Sequence, residues 1–213
     1  MILRIIVLGA ACICFLRGLD GPKSVNSQQP HSANSLASTN DPRDVAPEMK
    51  SLIKALAGRW SISEKLEPAE ATPNGGVGEG EEIWRPGPGG FTLLEEEHIR
   101  TPYGERFLLS LQWWDKSTNS FHGMLCNGAG PAGCNLESTK SVLTWDGKRY
   151  VIDMGFSSHD KRMIWHEVFT EFTSTSFTQT GDVGEVGGPL KRSITIHATK
   201  IGEVDSPFSK SGT

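Results

Sequence analysis

Glu95-Glu96-Glu97-His98 sets three carboxyls and an imidazole in four consecutive residues. Along an extended chain successive side chains alternate, so Glu95 and Glu97 share one face and Glu96 and His98 the other. If the strand forms part of a closed sheet, one pair looks inward. A buried carboxylate beside an imidazole can move protons on a bound molecule or orient a polar ligand. The plainer alternative is a solvated outer face. Glu64 raises the same question, because it shares a face with Trp60 in the alternating stretch Trp60–Leu66. A glutamate alone in an apolar interior must pair or take up a proton. A cation is therefore expected beside it, drawn from Arg100, Arg106 or Arg162.

Other chemistry is sparse. No nucleophile elbow, P-loop, dinucleotide fingerprint or His-Glu-x-x-His zinc motif occurs. Gly75-Gly76-Val77-Gly78 and Gly87-Pro88-Gly89-Gly90 read as turns, since no helix begins after either to hold a phosphate. No catalytic residue, metal or cofactor is assigned. Cys126 and Cys134 flank a glycine-rich turn. In an oxidising compartment they would cross-link two strands, with a gain of roughly 2.5 kcal/mol for so short a loop; two free thiols are the other reading. Zinc fits poorly, because no second Cys/His pair with ligand spacing lies nearby.

The elements that must position these groups are strands. Met49, Leu52, Ile53 and Leu56 share one face of a short helix over Glu48–Ala57, which Gly58 stops. From Trp60 the period changes to two. Strands are expected over Trp60–Leu66, Val77–Trp84, Phe91–Ile99, Glu105–Trp114, Ser120–Cys126, Asn135–Trp145, Arg149–Phe156, Arg162–Phe172, Ser176–Val183 and Lys191–Ile201, separated by breakers such as Arg85-Pro86-Gly87-Pro88 and Asp146-Gly147. In the fourth, Phe107, Leu109, Leu111 and Trp113 form one apolar face. About ten consecutive strands without intervening helices give an all-β antiparallel up-and-down meander, and closing it into a barrel removes both edges. Trp60 would plug one end beneath the helix, and ten strands would leave room inside.

Composition agrees with an ordinary soluble chain. The 213 residues are 37% hydrophobic with 24 glycines, 6 tryptophans and a net charge of -4. No Lys/Arg run exceeds two residues, which argues against nucleic acid. Residues 1–21 have a basic start and an apolar core too short to span a bilayer, the layout of a secretory leader. Gly9-Ala10-Ala11-Cys12 is lipobox-like, making Cys12 a candidate for lipidation, with a plain cleaved leader as the alternative. Residues 22–47, rich in Ser, Asn, Gln and Pro, read as a disordered tether, 48–201 as the barrel and 202–213 as a tail.

Gly58-Arg59-Trp60 after a helix, then Gly90-Phe91-Thr92-Leu93-Leu94-Glu95-Glu96, then Trp113-Trp114-Asp115, resembles the bacterial exported proteins grouped as domain of unknown function 1579. The likeness covers roughly Glu48–Ile201. It implies a calycin-like barrel, similar in architecture to lipocalins and nitrobindins, and no activity. The nitrobindin-like branch implies a haem histidine late in the chain, and His197 is the candidate by position, although Ile194, Ile196 and Ala198 form the more apolar face opposite it. The expectation is an exported barrel, periplasmic or secreted, holding a small apolar or amphiphilic molecule. Trp60, Glu64, Glu96, His98, Trp113 and Trp165 are the expected ligand contacts. A lumenal enzyme using Glu96 and His98 as acid and base is the alternative.

Overall fold

A computed structural model describes residues 44–128, 134–135, 141–158 and 160–204. The leader, Cys12, most of the tether and the end of the tail lie outside the described residues. The chain opens with helix α1 (Pro47–Leu56) and continues as strands β1 (Gly58–Leu66), β2 (Gly76–Pro86), β3 (Thr92–Thr101), β4 (Gly104–Asp115), β5 (Ser120–Asn127), β6 (Cys134–Asn135), β7 (Val142–Trp145), β8 (Tyr150–Ser158), β9 (Lys161–Thr170), β10 (Ser176–Glu185) and β11 (Lys191–Gly202). Successive strands pair antiparallel, and β11 returns to pair with β1 from Arg59↔Gly202 to Leu66↔Ile194. Ten strands thus close a ring, with the two-residue β6 lying beside β5. Closure pairs the first strand with the last, so neither is left as a sheet edge.

The expected sixth strand is two elements. β6 holds Cys134 and Asn135, β7 begins at Val142, and β5 pairs with β7 only at Phe121↔Leu143. Cys126 and Cys134 sit directly opposite each other on β5 and β6 and are joined as a disulfide.

The core sits at the end where the odd strands of the first half begin. Trp60, Trp84, Leu93, Phe121, Leu143, Tyr150, Phe169 and Phe177 are all buried there. Edge-to-face contacts link Trp60 to Phe177 and Trp84 to Phe169. Helix α1 presses Met49, Leu52 and Leu56 into this layer. Pro47 starts it at a position whose N–H has no helical partner in any case. Its terminal carbonyls need donors. Ala57 N–H serves Ile53, and the Trp60 indole N–H donates to the Leu56 carbonyl at 2.9 Å. Trp60 is therefore both plug and helix cap. Trp60→Phe is expected to cost about 1–2 kcal/mol, through an unmet buried carbonyl and a small void, measured as a fall in Tm of roughly 3–6 °C.

β4 corrects an expectation. Its apolar set faces outward, with Phe107 46% and Leu109 43% exposed, whereas Ser110 and Gln112 are buried. The register to β3 sets Arg106, Leu108 and Ser110 opposite Ile99, Glu97 and Glu95 on the lumenal face. Reversing that face would turn Arg106, Ser110 and Gln112 outside and strip partners from buried carboxyls, which costs more than exposing a few apolar groups. The outward rings are partly covered by neighbours: Phe107 stacks on His98, and Trp113 on His122.

Candidate functional site

Above the aromatic floor the lumen becomes polar. β1 contributes Glu64, β2 Glu82, β3 Glu95 and Glu97, β4 Arg106, Ser110 and Gln112, β9 Glu167 and β10 Gln179. Each is there by alternation. Trp60, Ile62, Glu64 and Leu66 point inward from β1, and the same period runs through Leu93, Glu95, Glu97 and Ile99 on β3. β2 makes room with glycine: a Cβ at Gly78 would come within 3.0 Å of the Glu64 carboxylate. Gly181 does the same on β10, because a Cβ there would run into the Trp165 ring.

Two hydrogen-bonded groups organise the layer. Arg106 donates from Nη1 to Glu64 at 2.8 Å and from Nε to Glu97 at 2.8 Å. Burial lowers the guanidinium's basicity, and Glu97 and Glu64 more than restore it, so it stays charged. The Glu64 carboxyl is nevertheless held above its ordinary value, chiefly by burial and against the pull of Arg106. Deeper in, Gln112 Nε2 donates to Ser110 Oγ at 2.8 Å, and Ser110 donates to Glu95. Gln179 Nε2 donates to Glu167.

Glu82 is 1% exposed, and neither of its oxygens makes a well-formed hydrogen bond, although the nearby Trp84 indole N–H favours its ionised form slightly. It lies directly across from Glu97 in the β2–β3 register and faces the Glu95 carboxyl. Like charges there repel. Burial, followed by Glu95, drives Glu82 well above the usual carboxylate range. Burial likewise pushes Glu95 up to about 8 and Glu167 up to about 7. The Glu82–Glu95 pair is thus compatible with one shared proton at neutral pH. Tyr150, on the floor beneath Glu95 and Glu167, is raised well above its usual value, chiefly by burial.

A cavity of about 240 Å³ opens within this layer. Leu108, Leu143, Ile152, Met154, Trp165 and Ile194 supply apolar wall, and Glu95, Glu97, Glu167, Gln112 and Gln179 supply acceptors. It also touches Gly123 and Ser141, beside the place where β5 and β7 share a single pairing.

Of the expected contacts, Trp165 lines this cavity. Glu64 is lumenal but committed to Arg106, and Trp60 is in the floor. Glu96, His98 and Trp113 are not in the lumen. Glu96 pairs with Arg85, and His98 stacks on Phe107 with Glu105 at 3.5 Å, all on the outer wall. Parity allowed either pair of the Glu95–His98 run inside, and the polar interior of β4 selected Glu95 and Glu97. A lumenal Glu96–His98 acid–base pair is excluded by this placement. His197 is exposed on the outside of β11, with Thr178 beside its ring, so it is not in position for a lumenal haem. Glu82, Glu167, Ser110, Gln112 and Gln179 carried no signal of their own in the sequence.

No family model matches the chain, and no curated protein does. Among solved structures it is similar to the S-type phycobiliprotein lyase CPES from Guillardia theta, with 8% identity over 75% of this chain and 94% of that one and a TM-score of 0.47. It is also similar to Rv2717c from M. tuberculosis, with 12% identity, 74% and 99% coverage and a TM-score of 0.44. A redesigned β-barrel, mFAP1, bound to DFHBI, shares 12% identity over 73% and 100% with a TM-score of 0.37. At these values the likenesses carry no functional argument.

Proposed function

We propose that the barrel is a carrier or sensor that holds one small amphiphilic molecule in its lumen. The observation behind this reading is the cavity itself: about 240 Å³, lined by both apolar side chains and hydrogen-bond acceptors. Liquid water would fill such a space with about eight molecules, so the ligand has on the order of ten non-hydrogen atoms. Apolar contact supplies affinity at roughly 25 cal/mol per Å², and the acceptors fix orientation. The polar layer replaces the largely apolar lumen expected from the sequence. Export is part of the proposal. The leader-like residues 1–21 and the Cys126–Cys134 disulfide, which persists in an oxidising compartment, support it.

Saturation-transfer NMR on the full chain with phenethyl alcohol and indole tests the reading. Transfer to both is expected. Met154→Trp, which fills the cavity, is expected to abolish it, and Leu109→Trp on the outer wall is expected to leave it intact. Equal transfer in both variants would show binding elsewhere and refute lumenal occupancy.

A further inference from the structure

The polar layer is unbalanced in a specific direction. Glu95, Glu97 and Glu167 line the cavity, and Glu64 and Glu82 are buried in the same layer. Among the described residues Arg106 is the one cation lining the cavity, and both its edges are taken by Glu64 and Glu97. Glu95 and Glu167 therefore face the cavity without a counter-charge of their own.

A second feature points the same way. Gln112 and Gln179 are 2% and 3% exposed, and both line the cavity. Each amide spends its N–H on the carboxyl side: Gln112 toward Ser110 and thence Glu95, Gln179 toward Glu167. Their Oε1 atoms are left with no donor. Unmet buried amide oxygens cost about 1–3 kcal/mol each unless something donates to them. The cavity thus has unmet acceptors and uncompensated carboxyls set among apolar side chains.

A metal ion does not answer this demand. Among the described residues no three carboxyl, imidazole or thiol groups converge closely enough to hold one. One point-like ion would also leave acceptors spread over β3, β4, β9 and β10 unserved.

We infer that the lumenal ligand is an organic cation, a protonated amine or amidine on a small apolar body, whose N–H groups, three on an ammonium and four on an amidinium, donate to acceptors among Glu95, Glu167, Gln112 and Gln179. This rests on the lumenal-binding reading above and names its ligand class. The apolar body lies against Leu108, Ile152, Met154 and Trp165. Binding also changes the proton count. Without a ligand, Glu95 and Glu167 are held partly protonated, first by burial and then by neighbouring carboxylates. A bound cation stabilises their ionised forms, so protons leave as it enters. The groups that set this exchange are Glu64, Glu82, Glu95, Glu97, Arg106, Tyr150 and Glu167.

Isothermal titration calorimetry of the full chain with three probes that share a phenethyl body tests this: phenethylammonium, phenethyl alcohol and phenylpropanoate. Near pH 7 the ammonium is expected to bind at least about tenfold more tightly than the alcohol, with no detectable binding of the carboxylate. Its observed enthalpy is expected to vary with the ionisation enthalpy of the buffer, which reports proton release. Glu167→Gln and Glu95→Gln keep the hydrogen-bond acceptors and remove charge. Each is expected to weaken the ammonium at least about fivefold while leaving the alcohol within twofold. Glu96→Gln on the outer wall is expected to change neither. If the alcohol or the carboxylate binds as tightly as the ammonium, the cation inference falls and lumenal binding stands. If none of the three binds, both fall.

Discussion

Arg106→Met is expected to destabilise the barrel by about 3 kcal/mol near neutral pH, and Arg106→Lys to recover only part of the loss. The guanidinium is held between Glu64 and Glu97, whose side chains are 0% and 4% exposed. Removing a cation from a buried ion pair leaves carboxylates that neither water nor another donor reaches, at a cost of about 3–5 kcal/mol. The lower end applies, because the Arg106 side chain itself is 34% exposed and part of its charge is already solvated. Lysine restores charge but cannot bridge two carboxylates with a planar fork. The loss should also depend on acidity. Once Glu64, held above its ordinary value by burial, is protonated, the missing cation matters less, so mutant and parent draw together as pH falls. Urea denaturation of all three proteins near pH 8 and near pH 5 measures this. A difference under about 1 kcal/mol at the higher pH would show that the arginine's charge contributes little to holding this layer.

That arginine also shows where the sequence was legible and where it was not. Strand periods and turns were plain. Alternation in Trp60–Leu66, the Pro-Gly breakers before Phe91 and the Asp146-Gly147 turn place β1, β2, β3 and β8 within one or two residues of where they lie, and β7 only at its Trp145 end. Glycine after α1 and the tryptophan two residues on mark the plugged end, because helix termination and a large flat ring leave few other arrangements. Which face of a strand turns inward is a different question. Hydropathy favours Phe107, Leu109 and Trp113 as the inner face of β4. That choice conflicts with Arg106 as the partner of buried Glu64, since Arg106 and Phe107 have opposite parity. Once the arginine is placed inside, Ser110 and Gln112 follow it and the aromatic set must be outside. Parity from the ion pair would also have turned Glu97 inward and Glu96 and His98 outward. Glu82 and Glu167 had no such handle. Nothing local distinguishes a glutamate buried among carboxyls from a solvated one, and their proximity comes from register across strands distant in sequence.

The stability of the unliganded barrel is expected to fall as pH rises from about 5 to about 8, opposite to proteins held by surface-paired carboxylates. Glu82, Glu95, Glu167 and Glu64 all have folded-state values raised from the ordinary 4.5, Glu95 to about 8 and Glu167 to about 7, with burial as the first cause in each. Between 4.5 and 8 the folded chain therefore binds more protons than the unfolded one. Stability decreases with pH wherever the native state is the more protonated. Below the unfolded value both states are protonated, so the slope begins there; it runs through the Glu167 and Glu95 values, and Glu82, raised well above the usual carboxylate range, carries it on until it too ionises. The groups facing this layer from other strands, Glu97, Arg106 and Tyr150, modulate the size of the slope; the buried carboxyls set its sign. The total change is on the order of a few kcal/mol. Glu82→Gln isolates the cause. Its amide can donate to Glu95 in place of the shared proton, so one buried charge is no longer at stake. The variant is expected to be more stable than the parent by about 2 kcal/mol near pH 8, indistinguishable from it near pH 5, and to show a shallower pH slope. Urea midpoints at four pH values between these limits are the measurement. A parent whose stability is flat or rising across the range, or a variant weaker than the parent near pH 8, would mean that the carboxyls are ionised and stabilised by partners other than one another. The same slope governs ligand release. An organic cation that enters by expelling protons is bound more tightly at pH 8 and shed as the carboxyls reprotonate, and it restores at high pH the stability that ionisation removes.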